Sequence, residues 1–342
     1  MMVPATEAVG AASIPAKRGA LRRILDMLGV QNVSLLIALA VLVAFIGSQN
    51  SNFFYSSNIA TVGTTVAIVG ILAVIQTVVM LLGGLDISVS SQAGLTSVVS
   101  AMVFTASHSA LAGIATAFVV GLATGLLNGV IIVYGRVNAV IATLATLAAY
   151  RGLANLISNG RAQGYVGVDQ VFIFLARGTL AGIPVLIWIL ALVALVTQLL
   201  LHYTDIGRNI YAVGGNATAA RLAGIPLNRY ILGVYVLCGL VSALAGILLT
   251  ARTGSGQPTS GSQGLELQCI TAAALGGCSM QGGKGTIVGT ILAVILLGVL
   301  QNGLIILDVN SFWQDIAQGA LLVIAVVIQQ RRSGARSVGL PA

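Results

Sequence analysis

Ten runs of mostly apolar residues, most of them long enough to cross a lipid bilayer, follow one another along this chain with very few charges inside them. A helix that crosses the hydrocarbon core needs roughly 20 predominantly apolar residues, within a range of about 17–25. By that measure spans are predicted over 32–48, 61–81, 88–105, 109–134, 138–158, 183–203, 229–251, 265–278, 286–306 and 312–330. Backbone amides and carbonyls find no water in lipid, so runs of this length must satisfy their own hydrogen bonds as helices. The eighth run is short and stops at Gly276-Gly277, which leaves open a full crossing or a broken, re-entrant helix. The predicted fold class is all-α: a polytopic integral membrane protein of about ten transmembrane helices.

Composition supports this class and excludes others. Of the 342 residues, 57% are hydrophobic and 7% charged, against roughly 25% charged in a soluble domain. The net charge of +8 is no nucleic-acid footprint, because the Lys and Arg fall in loops and at the two ends. With the N-terminus inside, Lys17, Arg18, Arg22, Arg23, Arg136, Arg208, Arg221, Arg229, Lys284, Arg331, Arg332 and Arg336 face the cytoplasm, which is 12 of the 16 basic residues. The positive-inside bias therefore predicts both termini to be cytoplasmic. A leader over 1–31, a transmembrane domain over 32–330 and a tail over 331–342 follow. The basic residues before the apolar run Val33–Gly47 superficially match a signal peptide, but that run opens a chain of further spans and is expected to be retained.

The odd set Cys238, Cys269 and Cys278 has no paired spacing for disulfides or zinc, and His108 and His202 have no metal-ligand spacing to them. They are read as packing residues. With no nucleophile–base–acid constellation, no catalytic residue, metal or cofactor is predicted in this chain.

A few polar stations interrupt the apolar runs. In Gly83-Gly84-Leu85-Asp86-Ile87-Ser88, Asp86 is the only acidic residue between Asp26 and Asp169. A carboxylate held within a bilayer is costly and persists only with a partner or water. Asp86 is thus read either as an exposed cap in a short inner turn or as a paired functional group, with Ser88 able to cap the next helix. Glu266, in Gly264-Leu265-Glu266-Leu267-Gln268, stands where a helix N-terminus favours negative charge. Asn128 and Asn302 lie in the matching runs Leu126–Ile132 and Leu300–Ile306, five spans apart, which is the pattern of an inverted 5+5 repeat. Their amides serve either as packing glue or as part of a polar solute pathway. Gly83, Gly84, Asp86, Ser88, Asn128, Glu266, Gln268 and Asn302 form the set of translocation-pathway or helix-break candidates.

Gly282-Gly283-Lys284-Gly285-Thr286 invites a phosphate-binding assignment and fails it. Cys278 occupies the first glycine position of that motif, and Gly285 follows the lysine where Ser or Thr is required. A tight cytoplasmic turn is predicted instead, and the chain is not expected to hydrolyse ATP.

The longest polar island, residues 202–229, reads HYTDIGRNIYAVGGNATAARLAGIPLNR. Gly207, Gly214 and Gly215 are expected to make flexible turns, Asn216 to cap a short helix over 217–223, and Pro226 to follow its end near Gly224. Arg221 is expected to be exposed.

The wording of this island, with Gly207, Arg208, Gly214, Gly215, Asn216, Ala219, Ala220, Arg221 and Gly224, resembles the cytoplasmic loop of sugar-importing ABC permeases. These are the ribose/xylose/arabinose permeases, in the branched-chain-amino-acid/sugar permease superfamily. The GGLDIS segment, the Glu266-Leu267…Leu275-Gly276-Gly277 segment and the glycine turn before Thr286 also resemble that family, in its order, over residues 60–330. Ser90 stands where the family has glycine, and Gln268 where it has aspartate. The resemblance implies that the loop docks on a separate cytoplasmic ATP-binding subunit, which carries the ATP-Mg. It also implies a second permease subunit, identical or not, a periplasmic or extracellular solute-binding protein, lipid surroundings in a bacterial inner membrane, and a sugar or sugar-like cargo. The alternative is a secondary transporter driven by an ion gradient, which Asp86, Glu266 and the repeat would suit.

Overall fold

A computed structural model describes residues 20–333. The predicted leader over 1–31 lies outside the described residues up to residue 19, and the predicted tail over 331–342 from residue 334 onward. In chain order the elements are α1 (Ala20–Gln49), a 3-10 turn (Ser51–Phe54), α2 (Ser56–Leu81), α3 (Val89–Ser107), α4 (Ala110–Val133), α5 (Ala139–Ser158) and α6 (Gln170–Arg177). There follow a two-residue hairpin of β1 (Thr179–Leu180) and β2 (Ile183–Pro184), α7 (Val185–Tyr203), α8 (Asp205–Gly215), α9 (Ala217–Leu222), α10 (Leu227–Thr253), α11 (Leu265–Leu275), α12 (Ile287–Ile306) and α13 (Ser311–Ser333).

Among the described residues eight helices are long and apolar enough to cross a membrane: the Gly29–Gln49 part of α1, and α2, α3, α4, α5, α7, α10 and α12. The short eighth run forms α11, only 11 residues long. At 1.5 Å per residue that is about 16 Å, well short of a core of roughly 30 Å. It stops because Gly277 turns into the left-handed region at φ 97°. The apolar part of α13, Ser311–Val327, is also shorter than the eight.

Two features were not predicted. The 159–184 connection holds α6, started by Asp169, whose Oδ1 accepts from the amides of Val171 (2.8 Å) and Phe172 (3.2 Å). It also holds the hairpin, antiparallel with Leu180 opposite Ile183. Its turn residues Ala181 and Gly182 have φ 53° and 77°, the paired positive values that tight hairpins favour.

The core is built on α2, buried from Val66 to Leu81 and packed by α7, α10, α11 and α12. Second in burial is α3, although it is the least apolar of the eight, with mean hydropathy 1.2. Its Ser90, Ser91, Gln92, Thr96, Ser97 and Ser100 are buried, because a polar helix in lipid is stable only inside the bundle. The outer faces of α4, α5 and α7 expose Leu and Val, such as Leu192, Leu195 and Val196, as lipid-facing helices do. α4 and α10 approach to backbone contact: Gly121, Gly125 and Gly129 recur every four residues, and a Cβ at Gly121 would stand 2.5 Å from the Gly239 carbonyl oxygen. Small residues at such spacing let membrane helices pack without a hydrophobic driving force.

Candidate functional site

The α2–α3 connection carries the first polar cluster. Asp86 is fully buried, so its reading as an exposed cap is corrected. Its Oδ1 accepts from the Ser88 amide (2.8 Å) and hydroxyl (2.6 Å), and its Oδ2 from Gln92 Nε2 (3.3 Å). The Ser88 hydroxyl therefore does not cap α3; an Asx turn centred on Asp86 sets the entry to that helix instead. The network extends across the bundle. Asn128 Nδ2 and Gln92 Nε2 both donate to Ser88 Oγ (2.8 and 2.7 Å), Tyr150 donates to Asn128 Oδ1 (3.1 Å), and Thr124 donates to Gln92 Oε1 (3.3 Å). The neighbouring Leu85 carbonyl accepts from Tyr235 (3.2 Å) and Thr143 (3.3 Å). The Leu85–Ser88 segment thus ties together α3, α4, α5 and α10. Burial pushes its carboxyl above the usual carboxylate range, while hydrogen bonds from Ser88, Cys238 and Gln92 pull it back. Gln92, Thr124, Tyr150 and Tyr235 were missed from sequence. The available signal was the stripe Ser88, Gln92, Thr96 at four-residue spacing, which places polar groups on one helix face.

The second cluster lies at the same end of the bundle, in the 202–229 island. Thr204 caps α8 through the Gly207 amide (3.2 Å), and Asn216 caps α9 through the Ala219 amide (3.0 Å). The helix predicted over 217–223 runs Ala217–Leu222. Ala220 is buried, whereas Ala219, Arg221 and Leu222 are exposed and Gly224 turns the chain at φ 83°. Arg208 pairs with Asp205. The expectation that Gly207, Gly214 and Gly215 make flexible turns is corrected, since all three lie within α8. Gly207 and Gly214 are there for closeness: a Cβ at Gly207 would overlap the Leu201 backbone, and one at Gly214 the Leu81 carbonyl oxygen.

Three glycine doublets meet at this point. The Gly283 amide donates to the Leu81 carbonyl (2.8 Å). A Cβ at Gly282 would stand 2.6 Å from the Gly214 oxygen, and one at Gly83 would stand 3.4 Å from the Gln281 oxygen. A Cβ at Gly84 would stand 2.7 Å from the Tyr235 hydroxyl. Tyr211 donates to the Gly285 carbonyl (3.0 Å). The island helix α8, the 279–285 turn and the connection leading to Asp86 are therefore packed backbone to backbone.

The remaining candidates lie apart from these clusters. Asn302 exchanges hydrogen bonds with Asn58 (2.8 and 3.1 Å), so it does not meet Asn128. Glu266 pairs with Arg151 at 3.5 Å, in the first turn of α11. Gln268 reaches Gln318 of α13 at 3.5 Å and lines a cavity of about 260 Å³. A second cavity, about 520 Å³, opens beside Gly214, Gly215 and Lys284. No group of three or more metal-ligating side chains occurs among the described residues.

A family model described as "Branched-chain amino acid transport system / permease component" matches residues 58–326. The ribose import permease protein RbsC of Escherichia coli (strain K12) is 40% identical over 299 residues, 87% of this chain and 93% of that protein. RbsC of Bacillus subtilis (strain 168) is 38% identical over 304 residues, 89% and 94% of the two chains. The L-arabinose ABC transporter permease protein AraH of Azospirillum brasilense is 38% identical over 327 residues, 95% and 94%. No solved structure matches.

Proposed function

This chain belongs to the family of branched-chain amino acid transport system permease components, and from that premise we propose that it is the membrane-spanning subunit of an ABC importer for a sugar or sugar-like solute. The chain covers most of relatives named for ribose and arabinose import, which supports the cargo class. Energy then comes from ATP-Mg on a separate cytoplasmic subunit, and cargo from a solute-binding protein on the outer face. Two permease subunits, identical or not, form one pathway in a bacterial inner membrane. The ten-segment count with its 5+5 repeat and both termini cytoplasmic complete the reading, supported by the distribution of basic residues.

The observation that carries the mechanism is the position of α8 and α9. They form a polar unit at the end of an apolar bundle, with Arg221 outward and Gly214 pressed on the end of α2. Docking of the ATPase on α9 moves α8, and through the glycine contact shifts α2, the 279–285 turn and the start of α3. Alternating access follows from that rigid-body motion. A carrier driven by an ion gradient is disfavoured, because the Asp86 carboxylate is held by Ser88 and Gln92 within the protein.

The test is co-purification of the solubilised chain with its ATP-binding subunit. Wild type is expected to bind, while Arg221→Glu and a deletion of 217–223 are expected to lose binding. Equal binding by all three would move the docking site elsewhere.

A further inference from the structure

The two cavities flank one short helix. α11 contributes Gln268 to the 260 Å³ cavity and Ala274, Leu275 and Gly277 to the 520 Å³ one. Between them Cys269, Ile270, Ala272 and Ala273 are buried and separate the two cavities. α13 runs beside α11 and borders both, with Gln314 and Gln318 in the first cavity and Ala325 in the second. The cavities lie toward opposite ends of the bundle. The larger sits at the glycine contact, which includes Leu81 at the end of α2. Thr65, which lines the smaller, is 16 residues earlier in the same helix, about 24 Å away along its axis.

The lining of the smaller cavity is chemically selective. It gathers Gln263, Gln268, Gln301, Gln314 and Gln318, five of the sixteen glutamines in the chain. Each amide offers two donors and a carbonyl acceptor, the complement of a hydroxyl, which both donates and accepts. Gln314 spends one donor on the Val309 carbonyl (3.0 Å), but Gln263 and Gln301 have no side-chain hydrogen bond among the described residues, and the 3.5 Å contact of Gln268 with Gln318 is at the long limit for such a bond. Among the described residues of the lining the one charged group is Asp315, which is exposed. Such a lining suits a neutral polyhydroxylated molecule better than an ion.

We propose that the amide-lined cavity between α2, α11, α12 and α13 is what this subunit contributes to the outward-facing solute site of the two-subunit pathway. α11 separates it from the other cavity in the state seen here. Gln268, Gln301 and Gln318 are its principal contacts. The proposal rests on the importer reading above and deepens it by naming where the sugar is held.

The experiment uses the importer assembled in proteoliposomes with its ATPase and binding protein, and radiolabelled D-ribose and L-arabinose as probes. The double variant Gln268→Leu with Gln318→Leu, still binding the ATPase subunit, is expected to lower uptake by about tenfold or more through lost hydrogen bonds. Gln268→Asn is expected to keep a larger share. Wild-type uptake by the double variant would overturn the site. A second measurement stands independently of folding in that variant: Gln318→Cys is expected to react with a membrane-impermeant maleimide added outside, more slowly when the transported sugar is present. The three native cysteines are buried and are expected to stay unlabelled. No labelling of Gln318→Cys from outside would overturn the proposal. Transport of neither sugar by the wild-type importer would instead overturn the sugar reading itself, and labelling tells the two failures apart because it needs no solute.

Discussion

At the scale of single residues, Asp86 and Gly214 do different work. Asp86 accepts hydrogen bonds from the Ser88 amide and hydroxyl and from Gln92 at a site with no solvent contact. Removing an acceptor there leaves buried donors unpaired, which costs about 1–3 kcal/mol. Asp86→Ala is therefore expected to unfold at a lower temperature than wild type in detergent, and Asp86→Asn, which keeps an oxygen in place, to fall between them. Equal melting of all three would show that the network contributes nothing to stability. Gly214 and Gly215 offer a sharper contrast, since they are adjacent and only the first faces backbone. A Cβ at Gly215 meets nothing within 4 Å. Gly215→Ala is expected to transport normally. Gly214→Ala displaces α8, at an overpacking cost of about 1–3 kcal/mol, and is expected to lower ATP-dependent uptake severalfold. These roles were only partly legible in the sequence. Asp86 stood out as an isolated acid, but the network around it reaches α4, α5 and α10 through Ser88 and the Leu85 carbonyl, and only the Ser88–Gln92 stripe was local. The glycines of the island were read as turns because the Leu81 carbonyl that requires Gly214 lies 133 positions earlier.

At the scale of elements, the spans were the most legible part, since apolar runs longer than a bilayer core admit few alternatives to a helix. The interruption of α11 was also readable, from Gly276-Gly277. α6 and the hairpin were not, because eight residues and two pairs of residues leave no periodic trace; only Asp169 before an apolar run hinted at a start. The α4–α10 crossing is written as Gly121, Gly125 and Gly129 but needs Gly239 opposite to have meaning. Gly239→Leu is expected to force that pair apart and to reduce the yield of folded protein in membranes far more than Gly233→Leu, whose position is open. The pair α8–α9 carries the docking claim at this scale. Arg221→Glu reverses an exposed charge on α9 without touching the bundle, so ATPase affinity is expected to fall by about tenfold with the melting temperature unchanged. A variant that lost affinity and stability together would point to α9 as a structural rather than a docking element.

At the scale of the whole molecule, the fold divides labour along the membrane normal. One end presents polar helices, basic residues and a backbone-tight glycine contact. The other presents an amide-lined cavity, and a half-length helix stands between. On the proposed reading, force enters at the first end and solute at the second. The central claim is that solute movement is driven by ATP hydrolysed on a partner. The most direct measurement is sugar uptake into proteoliposomes containing this chain, alone or with the ATP-binding subunit and the solute-binding protein, with ion gradients collapsed or imposed. Uptake is expected only when both partners and ATP are present, and is expected to be indifferent to the gradients. Uptake by the chain alone, driven by an imposed proton or sodium gradient, would contradict the account.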